Sequence, residues 1–99
     1  MQKLVRDRIP EFMELAGVSP EFSILPPADR LRWLLLKLSE ESAELTATPN
    51  LDECADVYEV VMAIAAELGH SSDDVALAAL NKRRERGGFA RGIVISISK

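Results

Sequence analysis

Two short acidic signatures mirrored about a proline turn constrain this chain more than any other feature. Glu40-Glu41-x-x-Glu44 and Glu53-x-x-Asp56 stand on either side of Thr48-Pro49-Asn50. On a helix, residues three apart project from neighbouring turns of one face. Folding the chain into an antiparallel helical hairpin about Thr48-Pro49 sets Glu44 opposite Glu53 and Glu41 opposite Asp56. Four carboxylates then meet at one level between two helices, while Glu40 points away on a simple helical wheel. A single Glu-x-x-Glu is commonly just a solvated face. Two mirrored pairs, one of them entering an apolar face, call for a neutralising cation.

The rest of the pattern is helical. A helix from about Asp29 to Leu45 carries Leu31, Leu34, Leu35, Leu38, Ser42 and Leu45 on one face. The next, Leu51 to Leu68, starts near Asn50 or Asp52 and stops before Gly69. It is apolar nearly all the way round, through Cys54, Val57, Tyr58, Val60, Val61, Met62, Ile64, Ala65 and Leu68. Such a helix is normally buried on most sides, and 99 residues supply little material to bury it. A homo-oligomer packed through these helices is therefore expected, with Cys54 as a small buried thiol.

Before the hairpin, Asp7 is a plausible N-cap for a helix carrying the stripe Ile9, Phe12, Met13 and Ala16, ended by Gly17. Val18 to Pro27, with three prolines, reads as an extended connection. After the hairpin, Ser71 and Asp74 form a capping pair for a helix over Ser72–Arg86, stopped by Gly87-Gly88. The β-branched run Ile93–Ser98 predicts a short strand, pairing across an interface or with Lys3-Leu4-Val5. The fold class expected is all-α: a single domain, a helical hairpin bundle of about four helices completed by oligomerisation, with a short C-terminal strand.

Composition narrows the function classes. A net charge of −4 argues against a protein that grips nucleic-acid polymer. One cysteine excludes an internal disulfide framework and fits a reducing compartment. With no apolar run of membrane-spanning length and no signal-peptide pattern, a cytoplasmic protein without a membrane partner is expected. Carboxylates without histidine or cysteine select hard cations, Mg²⁺ first and Mn²⁺ as its substitute. Mg²⁺ held by few protein ligands takes phosphate oxygens as further partners. Lys3, Arg6, Arg8, Lys37, Lys82, Arg83 and Arg86 are the cations available to hold a polyphosphate. Lone His70 follows a glycine stop and reads as a loop residue, and Trp33 as cover for the core edge.

The order and spacing of Glu40-Glu41-x-x-Glu44 and Glu53-x-x-Asp56 resemble the signature of the all-α nucleoside triphosphate pyrophosphohydrolases, the superfamily of MazG, the dimeric dUTPases and phosphoribosyl-ATP pyrophosphohydrolase. The opening Lys3-Leu4-Val5-Arg6-Asp7-Arg8-Ile9-Pro10 and the closing Lys82-Arg83-Arg84-Glu85-Arg86-Gly87-Gly88-Phe89 resemble its small, single-domain, MazG-like branch. The resemblance implies Glu41, Glu44, Glu53 and Asp56 as Mg²⁺ ligands, with Glu40 supporting an additional metal or positioning the attacking water. It also implies a nucleotide substrate cleaved between the α and β phosphates to a monophosphate and pyrophosphate, by a homodimer or homotetramer of helical subunits. Residues 45–52 make a shorter connection than the superfamily usually has, which points to a contracted pocket or an altered substrate. Two alternatives stand beside this reading: phosphoribosyl-ATP hydrolysis in histidine biosynthesis, and a non-catalytic helical interaction module.

Overall fold

Local caps set where the third and fourth helices begin. The computed structural model describes residues 2–98, which form α1 (Ile9–Leu15), a 3-10 turn (Pro27–Asp29), α2 (Arg30–Ala47), α3 (Leu51–Glu67) and α4 (Ser72–Arg86). Asn50 caps α3, its side-chain oxygen accepting from the Glu53 N–H at 2.8 Å. At the other end of α3, the Gly69 and His70 N–H groups donate back to Ala66 and Ala65. This closing turn requires a residue at positive φ, which Gly69 supplies at 87°. A reciprocal capping box, Ser71 with Asp74, opens α4. Asp74 is held below the ordinary aspartate range, chiefly by the backbone bond from Ser71.

Two expectations at the chain ends need correction. Asp7 is not the cap of α1; Arg8 occupies that place and makes no side-chain cap bond, with Pro10 in the first turn. The strand expected over Ile93–Ser98 is absent, and no strand forms anywhere among the described residues. A strand exists only through its ladder hydrogen bonds, and no other described segment offers them here. The tail is left open, with Val94 91% and Phe89 99% exposed.

The centre of the fold is the α2–α3 hairpin, whose helices pack together along their length across the three-residue link Thr48-Pro49-Asn50. α4 touches α3 over a smaller stretch, and α1 packs against no other helix. Little is buried: among the described hydrophobic residues only Ala65 is fully buried, and Leu35, Leu36, Tyr58, Leu68 and, on α4, Leu77 all face outward. Cys54, expected to be buried, is also exposed, because α2 covers only one side of α3. The chain exposes 8663 Å², whereas a compact monomer of this mass exposes about 5,600 Å². Its radius of gyration is 17.4 Å, against about 13 Å for a compact domain of this length. No helix among the described residues is long and apolar enough to cross a membrane.

Candidate metal centre

The short link and the i,i+3 spacings bring the carboxylates together as two groups that share Glu41. In one, Glu41, Glu53 and Asp56 each offer an oxygen within 4.8 Å of the others; in the other, Glu40, Glu41 and Glu44 do the same. The four residues expected as one cluster are thus divided, with Glu41 as the hinge of both groups. Glu40, which a wheel points away from them, has swung in. A wheel fixes only where a side chain starts, and a glutamate spans several ångströms beyond that.

Among the described residues, Glu41 is the one charged residue that is fully buried, at 7% exposure. Its Oε1 lies 3.2 Å from the Lys37 ammonium, one helical turn back. Its Oε2 and Glu53 Oε2 are buried and accept no hydrogen bond. An orphaned carboxylate oxygen in a buried position is costly, and two of them belong to the same three-residue group. That group is therefore short of positive charge.

The surrounding cations come from two places. Lys37, only 14% exposed, bridges Glu40 Oε2 at 3.3 Å and Glu41. Partial burial opposes its charge, but hydrogen bonds to Glu41 and Glu40 outweigh that and hold its pKa above the ordinary lysine value. The arm before α1 supplies the others: Lys3 Nζ donates to Glu40 Oε1 at 3.2 Å, and Arg6 Nη2 donates to Asp56 Oδ1 at 2.7 Å. The Lys3 bond, offset in part by desolvation and reinforced by Lys37, pulls the Glu40 carboxyl below the usual range. Glu44 moves the other way. When protonated, Glu44 can donate a hydrogen bond to Glu41, and this, together with the nearby negative charge, raises its pKa.

The arm and the hairpin enclose a cleft of about 570 Å³. Lys3, Arg6, Lys37, Glu41 and Asp56 stand on its walls beside the aliphatic side chains of Leu4, Val5, Ile9, Leu34 and Val60. Glu59 also lines it and was not anticipated, although it continues the series Glu53-x-x-Asp56-x-x-Glu59. A smaller recess of about 150 Å³ lies between Trp33, Leu36, Lys37 and Glu40. The other expected cations are not brought to the cleft within one chain. Arg8 pairs with Glu11 at 3.1 Å and lies over the Phe12 ring; Lys82, Arg83 and Arg86 are exposed on the last turns of α4. His70 is exposed and 3.6 Å from Asp74, as a loop residue.

This arrangement suits a hard divalent cation. The donor set is purely carboxylate, and two of its members, Glu41 and Glu53, each carry a buried oxygen without a partner. The adjoining cationic arm suits an anionic ligand reaching the cation from the cleft. No protein-family model matches the chain, and no curated protein or solved structure matches it.

Proposed function

We propose that this protein is a Mg²⁺-dependent nucleotide pyrophosphohydrolase, hydrolysing a nucleoside triphosphate between its α and β phosphates. The observation that carries the reading is the convergence of Glu41, Glu53 and Asp56 with two orphaned, buried oxygens, beside a cleft walled by Lys3 and Arg6. The sequence resemblance to the MazG-like branch supplies the reaction class. Glu41, Glu53 and Asp56 would hold the ion, and Glu44 stands in the neighbouring group that shares Glu41. When bound, the ion neutralises charge developing on the phosphate oxygens and lowers the pKa of the attacking water.

The chain's own residues supply positioning. Arg6 and Lys3 are long, half-exposed cations able to leave their carboxylates and hold phosphate oxygens. Glu40, kept ionised by Lys3 and Lys37, accepts a hydrogen bond from the water and orients it. Glu44, with its raised pKa, is the more basic of these two and the better proton acceptor. The aliphatic wall of Leu4, Val5, Ile9, Leu34 and Val60 shelters the nucleoside.

Completion of the fold by self-association belongs to the same proposal. The surface in excess of a compact monomer is about 3,000 Å², well above the roughly 800 Å² each partner gives to an ordinary interface. It carries exposed Leu51, Tyr58, Leu68, Leu77 and the apolar tail. This is the scale of an obligate homo-oligomer. Light scattering tests that part, and a stable folded monomer at micromolar concentration refutes it.

The catalytic reading is tested by incubating the pure protein with a panel of nucleoside triphosphates and phosphoribosyl-ATP, with Mg²⁺ or Mn²⁺, and measuring pyrophosphate. Metal-dependent release is expected. No release from any of them overturns the reading.

A further inference from the structure

We propose that Lys37 permanently occupies the second cation position of the carboxylate cluster, so that each protomer binds a single divalent ion. The inference rests on the metal-binding reading above and goes beyond it by fixing the stoichiometry and giving Lys37 a role apart from substrate binding.

The two acidic groups are not equivalent. In the group of Glu41, Glu53 and Asp56, two oxygens are buried without a partner, and Glu41 is more than nine-tenths buried. In the group of Glu40, Glu41 and Glu44, the Lys37 ammonium already sits between two members, 3.3 Å from Glu40 Oε2 and 3.2 Å from Glu41 Oε1. An ammonium at that place excludes a second ion by volume and by repulsion. It is also anchored. Its side chain is only 14% exposed, and it leaves α2 one turn before its partners, so it cannot swing clear as Lys3 and Arg6 can.

Two-metal phosphoryl-transfer sites clamp both the attacking and leaving oxygens with ions. Here Lys37 supplies the second positive charge as a fixed positioning residue that holds Glu40 and Glu41 in place.

Mn²⁺ titration of the whole protein by calorimetry, with electron paramagnetic resonance on the saturated sample, tests this. The wild type is expected to bind one Mn²⁺ per protomer with a mononuclear signal. Lys37→Met is expected to bind two, with an exchange-coupled signal, and Lys37→Arg to return to one. No Mn²⁺ binding by the wild type overturns the metal reading itself, and this inference with it. Two ions in the wild type, or one in a folded Lys37→Met, overturn the Lys37 assignment alone. If Lys37→Met does not fold, the wild-type count and Lys37→Arg still decide: two ions in either refute the assignment.

Discussion

Arg6→Gln is expected to move metal binding and nucleotide binding in opposite directions. Without nucleotide, Arg6 occupies Asp56 Oδ1 at 2.7 Å, and an ion using that oxygen must displace it. Both side chains are partly exposed, at 56% and 39%, so the pair belongs to the class worth about 0.2–1 kcal/mol. Removing the competitor should tighten Mn²⁺ binding by that amount, about 1.4- to 5-fold, more at low salt than at high. With a triphosphate present, the same guanidinium is expected on phosphate oxygens. Hydrogen bonds to charged groups contribute about 1.5–3 kcal/mol, and exposure places Arg6 at the low end, so KM should rise roughly ten-fold. Calorimetry of the nucleotide-free protein with Mn²⁺ gives the first quantity and pyrophosphate release the second. Unchanged or weaker Mn²⁺ binding in Arg6→Gln would show that the guanidinium does not compete for the metal carboxylate, and the account of the arm would fail.

Glu41→Gln and Asp56→Asn should each lower Mn²⁺ affinity by at least about ten-fold and remove metal-dependent turnover, with helical circular dichroism unchanged; wild-type rates in either exclude it as a ligand. Glu53→Gln removes a charge whose Oε2 is buried without a partner. In chelator it should raise stability by about 1 kcal/mol, read by urea unfolding at fixed protein concentration, while weakening Mn²⁺ binding. The raised pKa of Glu44 means that its contribution to metal-free stability is complete below 4.5 and is lost as pH rises through the raised value. Glu44→Gln should therefore flatten the fall in Tm just above pH 4.5, and an unaltered Tm profile would contradict the interaction of Glu44 with Glu41. Asn50→Ala should destabilise the protein by about 0.5–2 kcal/mol through loss of the α3 cap.

What the sequence made legible is what local chemistry decides. The Ser71–Asp74 capping box and the Gly87 stop bound α4 at the expected residues, and the link at Thr48-Pro49-Asn50 produces the hairpin. Glu41 and Asp56 come together because a three-residue link leaves antiparallel helices little freedom of register. The departures share a different cause. Glu40 turned inward because Lys3, thirty-seven positions away, and Lys37 both draw on its carboxylate; a wheel carries no information about partners. Glu59 was passed over for the opposite reason, since its place on the cleft depends on the arm folding across α3. Cys54 and the tail Ile93–Ser98 were read from residue preference, which describes the surroundings a side chain favours without supplying them. Within one chain, α2 covers one side of α3 and, among the described residues, nothing pairs with the tail. The apolar circumference of α3 is thus a local signal of a surface that the chain leaves uncovered, and Cys54 and Tyr58 lie on its open side. The same incompleteness bears on the site: α4 ends in Lys82, Arg83 and Arg86, outside the cleft of their own chain. Any role for them at a polyphosphate therefore depends on the assembly, whereas Lys3, Arg6 and Lys37 are in position within one protomer.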